Sequence, residues 1–199
     1  MNKQRLEAFS DGVIAIILTV MVLELREPHG ASWGDLRPLV PVFMSYVLSF
    51  VYLAIYWNNH HHLFQACRLV NGKVLWANLH LLFWLSLTPF VTAWMGGTHF
   101  ASVPVALYAA VQLCAGVAYF ILVRALIALH GRESTISTAV GDDSKGIVSV
   151  VLYAAAIPLA FVRPSIACAL FAIVAVMWLV PDRRIEIALA RRGAREGEA

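Results

Sequence analysis

Charge is what this sequence has least of. Only 14% of its 199 residues are Asp, Glu, Lys or Arg, against about 25% in an ordinary soluble domain. That scarcity excludes a disordered chain, which is rich in charge and poor in apolar residues. A soluble globule is excluded as well, because 60% of the residues are hydrophobic and mean hydropathy is +0.74. Cysteine is also sparse. Cys67, Cys114 and Cys168 are odd in number, widely spaced and set in or beside apolar runs. They offer no disulfide framework and no paired metal spacing, and read as small buried hydrophobes. The start lacks the pattern of a cleavable signal peptide, since Glu7 and Asp11 interrupt the expected apolar region. Long loops are missing too, which leaves no room for a separate soluble domain.

What remains is membrane-spanning helix. A span takes about 20 apolar residues, and the stock here fills about six. The gaps between charged and turn-forming residues predict spans at 8–25, 40–57, 74–95, 103–123, 147–162 and 165–180, with Arg163-Pro164 as a tight hairpin between the last two. The expected fold is an all-α membrane protein with six transmembrane helices. Residues 1–181 form the membrane domain and 182–199 a cytoplasmic, amphipathic tail.

Six spans place both termini on one side. Lys3, Arg5, Arg68, Lys73, Arg124, Arg132, Lys145, Arg183, Arg184, Arg191, Arg192 and Arg195 fall on that side, twelve cations in all, and only Arg26, Arg37 and Arg163 on the other. The positive-inside rule then makes both termini cytoplasmic. The net charge of +3 reports insertion and contact with the anionic bilayer surface, so nucleic acid is not expected as a partner.

Ionisable groups inside a span are expensive and mark function. The first span carries Asp11 near its start and Glu24 at its far end. Asp11 lies one and a half turns beyond Arg5, so the two can pair within the helix or across a subunit contact. A dipole-favoured acid at a helix start is the simpler reading. A second polar cluster, Trp57-Asn58-Asn59-His60-His61-His62, ends the second span. Consecutive histidines point about 100° apart on a helix, so they cannot all bind one metal, which needs i, i+4 spacing. No metal site is expected. Asn78 and His80, at similar depth in the third span, are expected to join Trp57 and Trp76 in a buried, satisfied polar network. Trp33, Trp94 and Trp178 read as interfacial anchors.

Beyond Asp11 the first span has a stripe. Ile16, Val20 and Leu23 recur at steps of four and three, Gly12 lies one turn before, and Thr19 borders the stripe. A helix lining an ion path has this form: apolar constriction, one hydroxyl, acids at the ends. A helix buried in a bundle has it too, with Thr19 bonded to the carbonyl of Ala15.

The segment Arg5-x-x-x-Phe9-Ser10-Asp11 before an apolar span resembles the signature of the transmembrane-protein-175 potassium channels in their prokaryotic single-repeat form. The resemblance continues through Trp57-x-x-His60-His61, Leu75-Trp76-x-Asn78-Leu79 and Ser86-Leu87-Thr88-Pro89-Phe90. It covers the first three spans closely, and the rest in helix number and length. It implies a homotetramer in the bacterial cytoplasmic membrane, conducting K⁺ along a central pore lined by the first helix, without a cofactor. By position, Ile16 matches the family's hydrophobic constriction, Thr19 a threonine layer implicated in potassium preference, and Leu23 an outer apolar ring. Val20 replaces Thr19 as a lining residue if the narrow part is wholly apolar. Arg5, Phe9, Ser10 and Asp11 form the signature, with His60, His61 and Asn78 as partners that hold the first helix to the second and third. Glu24 stands at the outer mouth, where Arg26 is close enough to neutralise it. The chain contains no Thr-Val-Gly-Tyr-Gly carbonyl filter, in keeping with that family.

Three rivals belong to other classes, the plainest being a purely structural scaffold. A proton-coupled transporter would relay protons through Asp11 and His60, His61 and His62, but inverted repeats, its usual companion, are not visible. An enzyme would use Asn59, His60 and His61, yet no nucleophile–base pair accompanies them, so no enzymatic activity is expected.

Overall fold

The computed structural model describes residues 2–131 and 144–179, and all regular structure there is helical. Helix α1 (Lys3–Leu23) opens on Asn2, whose side-chain oxygen accepts from the Gln4 amide at 3.0 Å. That bond satisfies one of the amides a helix start leaves unpaired. Its buried residues are Leu6, Ser10, Ile14, Ile17 and Met21. Steps of three and four place them on one face.

The stretch expected as the first loop is partly ordered. Trp33–Leu39 forms a 3-10 helix. Ser32 starts it by donating both its amide and its hydroxyl to Asp35, at 2.9 and 2.6 Å.

Helix α2 (Val40–Gln65) has Pro41 in its first turn, where a missing amide costs nothing. It runs past the predicted end at 57 and takes the whole polar cluster with it. The predicted third span is two helices, α3 (Gly72–Ser86) and α4 (Thr88–Gly97), divided at Leu87. Pro89 causes the break, because it has no amide to give Leu85 and its ring crowds that turn. Helix α5 (Ser102–His130) likewise continues beyond the predicted 123 and past Arg124. Helices α6 (Ser144–Val162) and α7 (Pro164–Leu179) meet at the Arg163 hairpin.

Five segments are long and apolar enough to cross a membrane: Lys3–Leu23, Trp33–Gln65, Gly72–Gly97, Ser102–His130 and Ser144–Val162. Pro164–Leu179 is a shorter apolar helix and supplies the sixth. The tail 182–199 and the pair Asp142-Asp143 lie outside the described residues.

Helix α1 rests on α2, α3 and α4, whereas α5 touches α3, α4, α6 and α7. Two apolar cores result. One joins α1, α2, α3 and α5 through residues such as Leu6, Ile17, Leu53, Phe64, Leu81 and Leu122. The other joins α2, α4, α5, α6 and α7 around Tyr52, Met95, Tyr108, Tyr153 and Phe171. Small residues allow the close approaches that drive helix association in lipid. Ala109, Ala156, Ala160 and Ala167 are fully buried in the second core. A Cβ on Gly96 would collide with Ser45 Oγ and stand 2.7 Å from the Val42 Cα, so α2 and α4 meet there backbone to backbone.

Candidate functional site

The start of α1 is tied to its neighbours by directional bonds. His60 donates through Nε2 to Asn78 Oδ1 at 2.8 Å, and Asn78 donates through Nδ2 to Ser10 Oγ at 2.9 Å. Ser10 passes its own hydroxyl hydrogen to the Leu6 carbonyl at 2.9 Å. Ser10 and Asn78 are completely buried and His60 nearly so. One chain of donors thus links α2, α3 and α1 with each polar group matched, which a low-dielectric interior demands. The His60 ring also stacks on Phe64, with centroids 4.5 Å apart.

Asp11 sits one residue on, at the exposed edge of the helix, and accepts from Trp57 Nε1 at 3.0 Å. Trp57 in turn stacks on His61, whose Nε2 meets the Gln65 side-chain amide at 2.8 Å. The expected pairing of the signature with His60 and Asn78 therefore runs through Ser10. Asp11 and His61 meet through Trp57.

Other expected partners are elsewhere. Trp76 is 73% exposed, and His80 is exposed and accepts from Trp84 Nε1 at 2.9 Å. Neither joins the Asn78 network, because positions two apart on a helix point about 200° from each other. Arg5 and Phe9 are exposed. Lys3 pairs with Glu7 at 3.7 Å, and among the described residues Arg5 and Asp11 form no ion pair within one subunit. His62 Nδ1 is buried with no hydrogen-bond partner among the described residues.

Two ties escaped the sequence reading. Lys3 Nζ donates to the Cys67 carbonyl at 3.0 Å. On the other side of the same turn, His130 Nε2 accepts from the amides of Arg68 and Leu69 at 3.1 and 3.2 Å. The turn joining α2 to α3 is thereby held by the start of α1 and the end of α5. Nothing in local spacing announces such contacts, which join residues more than 60 positions apart. The Cys67 thiol in this turn donates to the Leu63 carbonyl at 3.1 Å, and burial pushes its pKa up to about 12, which keeps it unreactive. A second polar cluster was signalled only by the i, i+4 pair Thr88 and Thr92. Ser49 bonds Thr92 at 2.7 Å and Tyr108 at 3.0 Å in the second core.

The stripe on α1 lies opposite the buried face. Gly12, Ile16, Thr19, Val20 and Leu23 are all exposed in the isolated subunit, Ile16 at 62% and Leu23 at 80%. Thr19 donates its hydroxyl to the Ile16 carbonyl at 2.8 Å, rather than to Ala15. Exposed Glu24 caps the helix end. Between α1 and α4 runs an open groove of about 750 Å³, bordered by Ile16, Val20, Glu24, Pro89, Phe90 and Trp94. Other faces of the bundle expose as much apolar surface, as lipid allows; what sets this face apart is that it also carries the Thr19 hydroxyl and ends at the Glu24 carboxylate.

These features define a class: a multi-pass helical membrane protein whose first helix is anchored by polar bonds at one end and bare along one side. The family described as the endosomal/lysosomal potassium channel TMEM175 matches residues 5–89. A protein from a Chryseobacterium strain, named a potassium channel, is 51% identical over 189 residues, spanning 95% of this chain and 98% of its own length. A Streptomyces collinus protein, also named a potassium channel, is 37% identical over 93 residues, 45% of each chain. The crystal structure described as a lysosomal potassium-selective channel TMEM175 homolog from Chamaesiphon minutus superposes with a TM-score of 0.78 at 24% identity, covering 89% of this chain and 96% of that one. The chain belongs to the TMEM175 family, and its six-helix fold is that of the Chamaesiphon protein.

Proposed function

We propose that the chain forms a potassium channel, a homotetramer in the bacterial cytoplasmic membrane with both termini inside, whose pore is lined by α1. The observation that carries this reading is the bare face of α1, together with the potassium-channel name of a relative matching nearly the whole chain. Four copies around an axis cover that face with itself, as closed symmetry requires. In this arrangement Ile16 and Leu23 form apolar rings and Thr19 presents a ring of hydroxyl oxygens between them. Val20 turns toward the α4 groove, where the flank of the neighbouring first helix packs.

A narrow apolar ring dewets and blocks ions. Conduction therefore requires the α1 helices to rotate or separate at Ile16, admitting partly hydrated cations. Preference for K⁺ comes from pore width and the Thr19 layer, while Glu24 concentrates cations at the outer mouth. Arg5, Phe9, Ser10 and Asp11, with His60, His61 and Asn78, keep each α1 in register with its own subunit.

The direct test is flux of K⁺ and Na⁺ from liposomes holding the purified full chain. Faster K⁺ release that stops at equilibrium is the expected outcome. Flux no greater than from empty liposomes sinks the reading, and accumulation against a gradient replaces it with coupled transport.

A further inference from the structure

We infer that His130 is a pH-sensitive latch: as a neutral ring it holds the connection between α2 and α3 against the end of α5, and as an imidazolium it lets go. The bonds fix the tautomer. The backbone hydrogens of Arg68 and Leu69 both point at Nε2, at 3.1 and 3.2 Å, so Nε2 is the bare, accepting nitrogen. Nδ1 then carries the proton and donates to the Leu126 carbonyl at 3.0 Å. A protonated ring has a hydrogen on each nitrogen and no lone pair left to accept with. Uptake of one proton at Nε2 therefore replaces two accepted bonds by an N–H aimed at two other N–H groups. Arg68 and Leu69 are exposed, so water takes over their amides and release strands no buried group.

The surroundings allow the event. Imidazole is the side chain whose ordinary titration falls between about pH 5 and 8. The ring is half-buried, so protons reach it from water. Helix α5 has 29 residues, whereas about 20 cross the hydrocarbon, and Arg124, its one charged residue, stands before the final turn. That turn projects from the bilayer, into the cytoplasm if both termini are inside as proposed above. The charged ring keeps a place there: its Nδ1 bond to Leu126 is unaffected, and a cation is favoured at the negative end of a helix. The charged and titratable groups that the neighbouring elements carry at this end are Cys67 and Arg68 in the connection, His61 and His62 in α2, Lys73 in α3, Lys3 and Glu7 in α1, Arg124 in α5 and Lys145 in α6. Lys3 pairs with Glu7, and the Cys67 thiol stays neutral because burial pushes it up to about 12. Arg132, Glu133, Asp142 and Asp143 lie outside the described residues. Lys3 also bonds the Cys67 carbonyl, so the latch acts on the same segment that anchors the start of α1.

The experiment is hydrogen exchange of the full-length protein in detergent, read residue by residue by mass spectrometry and corrected for the intrinsic pH dependence of exchange. Between about pH 8 and about pH 5.5, which spans the titration of imidazole, protection of the Arg68 and Leu69 amides should fall at least fivefold. The Ala66 and Cys67 amides, bonded to the His62 and Phe64 carbonyls, are internal controls in the wild type and should change less than twofold. In His130→Gln the side-chain oxygen accepts but takes up no proton, so protection at Arg68 and Leu69 should not vary across the range. His130→Leu removes the acceptor, and protection there should be low at both ends. Wild-type protection at Arg68 and Leu69 that ignores pH overturns the proposal, as does an equal fall in His130→Gln. A fall shared by Ala66 and Cys67 also overturns it, because the whole helix end is then loosening. None of these readings needs ion conduction, so a failure here is distinct from a failure of the channel reading.

Discussion

Asn78 is the residue on which the start of α1 depends, because it both accepts from His60 and donates to Ser10. Replacing it by Leu orphans the buried His60 N–H, worth about 1–3 kcal/mol when left unpaired, and removes one of the two bonds of Ser10, which still donates to the Leu6 carbonyl. Measured side-chain bonds in membranes average about 0.6 kcal/mol, which points to the lower end of that range. Asn78→Leu should therefore cost about 1–2 kcal/mol, and Ser10→Ala, which orphans only the Asn78 amide hydrogen, should cost less. Thermal unfolding in detergent checks both; equal melting of wild type and Asn78→Leu would remove the network from any anchoring role. At this scale the sequence disclosed which polar residues matter but not always who meets whom. Ser10, His60 and Asn78 were legible because a buried polar group must find a partner. The bond from Trp57 to Asp11 depends on how α1 crosses α2, and that angle is written in packing rather than spacing. His80 was misplaced because sharing a membrane depth with Asn78 does not mean sharing a face.

Among the helices, α4 is held close to α2 at Gly96. A methyl group there forces the backbones apart, an overpacking that costs about 1–3 kcal/mol. Gly97, one residue on, has nothing within 4 Å of an added Cβ, so its substitution should stay within about 0.5 kcal/mol. Gly96→Ala should thus melt well below Gly97→Ala in the same detergent, and matching transitions would contradict the close approach. Helix number was readable from hydropathy, and Pro164 placed the last hairpin. The ends were not. The apolar run stops at Trp57 in a hydropathy scan, yet Asn58 to His62 continue the helix because their backbone bonds are unaffected. Arg124 was read as a stop, but a long cationic side chain reaches polar surroundings while its backbone stays helical. The division at Leu87 was hidden inside a span free of charged residues, although Pro89 was its cause in plain view.

For the whole molecule, class and charge asymmetry followed from composition, because bulk transfer energy and insertion bias are sums over residues. The proposed tetramer did not, since contact between copies is a property of surfaces rather than of composition. Ile16→Asn tests that assembly directly. A ring of amides at the constriction should stay wet and raise resting leak severalfold in single-channel recordings. Conductance and open probability unchanged from wild type would take Ile16 off the axis. The pair Thr19→Val and Val20→Thr would then show which of the two positions sets ion preference.

The bonds from α1 to other helices leave from Lys3, Ser10 and Asp11. Past Asp11, its buried residues Ile14, Ile17 and Met21 hold by apolar contact alone. Such contacts are non-directional and let surfaces slide, whereas hydrogen bonds fail steeply when bent. The helix is hung like a lever, with its fulcrum at Ser10 and its free arm running outward to Leu23. Swinging that arm breaks no hydrogen bond described here, and the displacement grows with distance from the fulcrum. Leu23 therefore travels farther than Ile16 in any swing, so in the proposed pore the Leu23 ring would widen more than the Ile16 ring, which would set the threshold.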